Sequence, residues 1–279
     1  MTPLLKGSII HMPNILFIGE IIGKIGRRAA AELLPGLKKE FKPDFIFTNA
    51  DNLAHGNGVS KDTIGEMLAA GVDAFTGGDH CFGNTAYLNL YDSQLPLLRP
   101  ANYSKGAPGK GQMVIEKNGH KILLISLIGQ VFMSMDHESP FHEADNILSN
   151  LANNNLSAII IDIHAEATSE KITLAHYLDG KVSAILGTHT HVMTADARIS
   201  QAGTALITDM GITGFADGVI GVDKDGIIKT FLTQIKSTHI LPESGRVIFN
   251  AVSLTIDPKT KKTISIKPIT KFINIHPIK

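Results

Sequence analysis

Hydrophobic and polar positions in the first third of the chain switch between two periods. Asn14–Glu20, NILFIGE, is an almost unbroken apolar run, as expected of a strand buried on both faces. Residues 27–41, RRAAAELLPGLKKEF, repeat Ala and Leu at helical spacing, and Pro35 is expected to kink or restart that helix. PDFIFTNADN over 43–52 reads as a second strand, and SKDTIGEMLAAG over 60–71 as a helix capped by Ser60 and stopped by Gly71. VDAFTGGDH over 72–80 is the third strand. This βαβαβ order predicts a parallel sheet with right-handed crossovers.

Further along, the pattern becomes mixed. Asn118-Gly119 marks a two-residue hairpin, a helix is expected over 143–154, and 156–166, LSAIIIDIHAE, is another buried strand. A helix over 169–178 leads to the strand VSAILGTHTH (182–191), and ARISQAGTALITD (197–209) suggests a hairpin around Ala202-Gly203. From Gly226 onward, GIIKTFLTQI and the segments after it read as antiparallel strands, with a turn in IDPKTKKT. With no repeat or linker in view, residues 12–279 are expected to form one α/β domain of two packed sheets. Met12 reads as a natural start, so residues 1–11 are expected to be an N-terminal extension or a remnant of cloning.

The positions of the polar residues carry the chemistry. Glu20 closes the first strand, Asp51 and Asn52 the second, and Asp79 and His80 the third. His164 ends AIIIDIH, while His189 and His191 follow VSAILG. In a parallel α/β sheet the carboxyl ends of the strands share one edge, where ligands bind. Oxygen and imidazole donors without sulfur suit Mn, Fe, Zn or similar divalent ions. A single strand-end histidine is more often a hydrogen-bonded turn residue, so the joint arrangement carries the inference. His189 and His191, two apart on that strand, are expected to share a face and converge on a metal pair.

ILFIGEIIGKIGRR, NADNLAHGNG, GGDH, RPANY, DIHAEATSEK and GTHTHVMTADARI resemble the YmdB-like branch of the calcineurin-type metallophosphoesterases, from Asn14 onward. The resemblance implies a four-layer α/β/β/α sandwich of two mixed sheets flanked by helices. It also implies a dinuclear centre, with Fe or Mn first and Zn or Mg as alternatives, and hydrolysis of small phosphodiesters such as 2′,3′-cyclic nucleotides. By that resemblance one metal falls to Glu20, Asp51, Asn52 and His191, and the other to Asp51, Asp79, His164 and His189. Asp51 bridges, and His80 is the catalytic histidine, placed to protonate the leaving oxygen. Three positions depart from the family pattern, which has Asp, Glu and Asn where this chain has Glu20, Asp51 and Asp79. Those at Glu20 and Asp79 keep a second reading in play, a non-catalytic or weakly active regulatory/binding protein that retains the fold with an altered metal site. An amidohydrolase barrel also uses His-x-His, but there the pair normally follows the first strand.

Composition narrows the partners. Lys and Arg together balance Asp and Glu at 26 each over 279 residues, which argues against stable binding to long nucleic acid or an anionic membrane. One cysteine excludes an internal disulfide and fits a cytoplasmic setting, and a homo-oligomer is compatible with everything seen. His55 and Asn102 are candidate substrate contacts, and Arg27 or Arg28 could reach a phosphate. Asp162 or Glu166 could orient a ligand imidazole, while Cys81 reads as packing. The lysines from Lys259 to Lys271 read as a solvated hairpin.

Overall fold

The computed structural model describes residues 11–151 and 155–277. The extension expected over 1–11 lies outside this range except for His11, whose Nε2 is 2.9 Å from Asp44 Oδ1. The elements run β1 (Asn14–Ile18), β2 (Glu20–Ile21), α1 (Gly23–Phe41), β3 (Phe45–Asn49), α2 (Lys61–Ala70) and β4 (Ala74–Thr76). A short 3-10 helix, Thr85–Leu90, precedes β5 (Gln112–Lys117), β6 (His120–Ile128), α3 (Pro140–Ser149), β7 (Ala158–His164), α4 (Thr168–Tyr177) and β8 (Ala184–Thr188). The chain continues through β9 (Arg198–Ile199), β10 (Ala205–Ile207), β11 (Ile212–Phe215), α5 (Lys224–Thr233), β12 (Gly245–Ile256) and β13 (Thr263–Ile275).

Two mixed sheets result. One has the order β2-β11-β12-β1-β3-β4, with β13 also paired to β12; the other runs β5-β6-β7-β8-β10-β9. Strand alternation sorts the side chains into layers. Ile15 and Phe17 of β1 join Phe45 and Phe47 of β3, and these meet Ile122, Leu124, Ile160 and Leu186 of the second sheet in the central core. Leu16, Ile18 and Ile46 point the other way, onto Leu34 and Leu37 of α1 and Ile64 and Met67 of α2. Across the molecule Ile125, Leu127, Ile161 and Ile163 pack on Ala144 and Ile147 of α3 and Leu174 of α4. The order is therefore helix, sheet, sheet, helix. Near-continuous apolar strands are what such a double-faced burial requires.

Three expectations change. Pro35 does not interrupt α1, because it sits on the exposed outer face, where the carbonyl it leaves unpaired can be hydrated. Residues 224–233 form helix α5 rather than a strand, nucleated by Asp223, whose side chain accepts from Asp225 N at 2.9 Å. The third change is at Glu20: the first strand breaks at Gly19, and Glu20 opens the separate strand β2. A Cβ at Gly19 would lie 2.1 Å from Gly211 O, so glycine is needed where the two strands close up. The helix expected over 143–154 is seen as Pro140–Ser149, and residues 152–154 lie outside the described range.

The Asn118-Gly119 hairpin forms with φ of 53° and 79°, and the long β12–β13 hairpin forms around the expected turn. Ser60 caps α2 through a capping box with Thr63, and Gly71 ends it in the left-handed region. Ser60→Ala is expected to cost about 1 kcal/mol, seen as a lower urea midpoint at unchanged slope.

Candidate metal centre

The carboxyl ends of β1, β3, β4, β7 and β8 meet where the two sheets adjoin. Asp51 follows β3 by two residues, and its backbone N–H is held by Asn49 Oδ1 at 2.9 Å. Asp79 follows β4 across Gly77 and Gly78. A Cβ at Gly78 would lie 2.3 Å from His164 Nε2, so this glycine keeps open the space in front of that nitrogen.

The side chains converge. His164 Nε2 lies 2.9 Å from Asp79 Oδ1, 3.1 Å from His189 Nδ1 and 3.6 Å from Asp51 Oδ2. Glu20 Oε2 accepts from Asn52 Nδ2 at 2.7 Å and lies 3.2 Å from His191 Nε2. Three overlapping sets, Asp79–His164–His189, Glu20–Asp51–His164 and Asp51–Asp79–His80, each bring candidate ligand atoms within 4.8 Å of one another. Glu20, Asp51 and His164 are buried. No lysine or arginine nitrogen pairs with these carboxylates among the described residues.

Protons take up the charge instead. Burial alone would raise the Glu20 carboxyl, but the imidazoles of His191 and His164 overcome it and hold the group well below its usual range. Burial would likewise raise Asp79, and His164 again pulls it down. The imidazoles respond in kind. Burial opposes the charge on His164, yet Asp51 and Glu20 raise it to about 10; His191 is raised to about 9 against its burial, chiefly by Glu20. His189 is lowered by burial and by the neighbouring His164.

His80 is the most open member, with its side chain 44% exposed. Its backbone N–H and its Nδ1 both reach the Asp51 carboxylate, Nδ1 at 2.9 Å, and that hydrogen bond raises its pKa despite partial burial. With Nδ1 turned to Asp51, Nε2 is the nitrogen left for another partner.

Behind the cluster lies a buried polar network that the sequence reading largely missed. Asp162 accepts from Thr76 Oγ1, from Asn49 Nδ2 at 2.9 Å and from Thr188 Oγ1 at 2.8 Å. Since the Thr188 hydroxyl donates to Asp162, it accepts from His164 Nδ1–H at 3.0 Å, which leaves Nε2 as the nitrogen that faces Asp79 and carries the exchangeable proton in the metal-free protein. Asp162 thus orients His164 through Thr188, while Glu166 touches His189 Nε2 directly at 3.1 Å.

His189 and His191 are not strand neighbours sharing a face. Both lie past β8 with φ of 97° and 68°, and they turn to different carboxylates. Asp209 supports this unusual backbone: it accepts from Thr190 N at 2.9 Å and from the buried Lys171 Nζ at 3.1 Å. Lys171 Nζ also donates to Thr188 O at 2.8 Å. Asp162 and Glu166, which flank His164, are the sequence clues to this layer.

The remaining candidates lie elsewhere. His55 is exposed on the loop after Asp51. Asn102 is buried, and its amide is committed to the backbone of Ile128 and Glu138 through three hydrogen bonds of 2.7–2.9 Å. Arg27 is held by Glu66 and Leu53 O, and Arg28 by the carbonyls of Glu243 and His276. Cys81 is buried packing, and burial pushes its thiol up.

A two-sheet sandwich with an acid–imidazole cluster on the strand ends defines a metallophosphoesterase-like fold, and comparison with known proteins agrees. The chain belongs to the YmdB-like protein family, whose model matches residues 16–269. It is 41% identical over 256 residues to the 2′,3′-cyclic-nucleotide 2′-phosphodiesterase of Bacillus subtilis, covering 92% of this chain and 96% of the relative. A novel phosphatase of Mycoplasma pneumoniae superposes with a TM-score of 0.89 at 31% identity, over 96% of each chain. The NAD nucleotidase of Haemophilus influenzae shares the fold alone, with a TM-score of 0.59 at 14% identity over 95% of this chain and 56% of its own.

Thr188→Val is expected to leave the fold intact but release His164, weakening divalent-metal affinity about 10- to 100-fold in a direct titration. Unchanged affinity would show that Thr188 does not orient His164.

Proposed function

We propose that this protein is a phosphodiesterase using two divalent metal ions, acting on small phosphodiesters such as 2′,3′-cyclic nucleotides. The observation that carries this reading is the convergence of Glu20, Asp51, Asp79 and His164 around a space that Gly78 keeps open, in a chain 41% identical to a cyclic-nucleotide phosphodiesterase. The donor set fits divalent ions: carboxylates and imidazoles, Glu20, Asp51 and His164 among them buried, with no lysine or arginine paired to the carboxylates among the described residues. Glu20, Asp51, Asn52 and His191 would hold one ion, and Asp51, Asp79, His164 and His189 the other. Fe and Mn suit this mixture best, with Zn and Mg as alternatives. Such a pair, when bound, lowers the pKa of a coordinated water and neutralises charge on the phosphoryl oxygens.

The chain's own residues do the rest. His80 keeps its proton because Asp51 holds Nδ1, and Nε2 gives a proton to the departing alkoxide oxygen. Asp162 and Thr188 keep His164 in the tautomer that leaves Nε2 unprotonated for a metal. His55, on the rim loop, is the remaining candidate for a substrate contact.

Among the described residues no helix is long and apolar enough to cross a membrane, and the balanced charge favours a small substrate over long nucleic acid. A cytoplasmic location and a single catalytic domain over residues 12–279 complete the proposal. The non-catalytic alternative is favoured by the altered ligands Glu20 and Asp79, and most by Asp79, a carboxylate where the family pattern has asparagine. An added negative charge binds metal more firmly but lowers its Lewis acidity and repels phosphate.

Hydrolysis of bis-p-nitrophenyl phosphate and 2′,3′-cyclic nucleotides, assayed across added Mn, Fe, Mg and Zn, tests the function. No turnover with any metal would move the assignment to the regulatory alternative. His80→Ala is expected to retain both metals and lose at least about 100-fold in kcat; loss of metal instead would make His80 a ligand. Asp79→Asn is expected to change metal preference or raise turnover on a cyclic nucleotide, and identical metal content and kinetics would remove Asp79 as a determinant.

A further inference from the structure

A groove of about 790 Å³ is linked to the cluster through Tyr103 and has no role in the proposed reaction. Arg99, Tyr103, Lys105, Ser139, His142 and Glu143 are among its lining residues. Arg99 is 92% buried, at 8% relative exposure, and among the described residues no carboxylate lies within ion-pair distance of it. Its Nη1 donates to Pro100 O at 2.7 Å and to Ala101 O at 3.1 Å. Its Nε is buried without any hydrogen-bond partner. Nε and Nη2 form the side edge of a guanidinium, the edge that grips an oxyanion with two parallel hydrogen bonds.

A buried guanidinium without a counter-charge is costly, and such groups are ordinarily paired. The groove supplies a second feature suited to an anion. Helix α3 begins there, with Ser139 as its cap and Pro140 in its first turn, so its N-terminal dipole faces the same space. Lys105 adds a mobile positive charge at the rim. Two acids oppose this, Glu138 and Glu143. Glu138 is solvent-exposed, and Glu143 is half-buried in the first turn of α3, 3.3 Å from Asn146 Nδ2. Water can screen both, whereas Arg99 lines the groove with no carboxylate paired to it among the described residues.

One lining residue also reaches the loop that carries Asp79. Tyr103 lines the groove, and the Tyr103 hydroxyl donates to Gly78 O at 3.2 Å, one residue before Asp79. We propose that Arg99 and the N-terminus of α3 form a phosphate subsite that receives a second phosphate group of the substrate. Resting on the phosphodiesterase reading, this makes nucleotides with a further phosphate, such as a 2′,3′-cyclic nucleotide carrying a 5′-phosphate, the preferred substrate class.

Three measurements on the full-length, metal-loaded protein test this. The ratio of kcat/KM for a 2′,3′-cyclic nucleotide with and without a 5′-phosphate is expected to favour the phosphorylated form by at least about tenfold, and to collapse toward unity in Arg99→Gln. Inorganic phosphate is expected to raise the Tm of the wild-type protein more than that of Arg99→Gln. A wild-type crystal soaked in tungstate is expected to show the oxyanion on the Nε–Nη2 edge of Arg99, a readout that does not depend on the variant folding. Tungstate at Arg99 without a 5′-phosphate preference keeps the phosphate site but assigns it to free phosphate. Tungstate confined to the acid–imidazole cluster, with a preference ratio near one, overturns the inference while leaving cyclic-nucleotide hydrolysis intact. If no nucleotide is hydrolysed at all, the phosphodiesterase reading fails, and the soak alone decides whether Arg99 binds an oxyanion.

Discussion

Concentrating Glu20, Asp51 and Asp79 in one buried space is the constraint around which this molecule is arranged. Like charges in a low-dielectric interior repel strongly, and among the described residues no lysine or arginine pairs with them. In the metal-free protein the offset comes from protons on His164 and His191, both raised well above an ordinary imidazole by these carboxylates. A site that holds protons this firmly is one where divalent cations can replace them. Asp162 and Thr188 serve that exchange by fixing which nitrogen of His164 faces the cluster, and Lys171 and Asp209 by holding the His189–His191 loop in left-handed backbone.

The fold's layers make this concentration affordable in structural terms. Apolar strands packed on both faces leave polar groups nowhere to sit except the strand ends. The two sheets deliver those ends to one place, with Glu20, Asp51 and Asp79 coming from the first and His164, His189 and His191 from the second. The cluster is therefore an interface between sheets, and its geometry depends on how they pack. Gly78 marks a position where any side chain would push that packing apart, since its Cβ would fall on His164 of the second sheet.

Much of this was legible in the sequence. The βαβαβ rhythm, the Ser60 cap, the Asn118-Gly119 turn and the strand-end polar residues each reflect a local rule, and the structure follows them. Helix α5 was misread because its Ile-Ile and Phe-Leu pairs look strand-like, while the Asp223 cap that starts it was overlooked. Pro35 misled because a proline's effect depends on which helix face it occupies. Asp209 and Lys171 gave no signal, since a buried pair 38 residues apart in sequence is invisible to periodicity. Asn102, read as a substrate contact, is spent on backbone, while its neighbour Arg99 passed unnoticed because burial without a partner is a property only of the folded chain.

The central claim is that the acid–imidazole cluster is a divalent-metal centre whose protons are displaced on loading. Calorimetric titration of Mn(II) into metal-stripped full-length protein near pH 7.5, repeated in buffers of different ionisation enthalpy, tests it most directly. Because His164 and His191 titrate at about 10 and 9 without metal, the account predicts release of about two protons per protein and affinity that rises with pH. Absence of binding, or binding with no proton release, would contradict it.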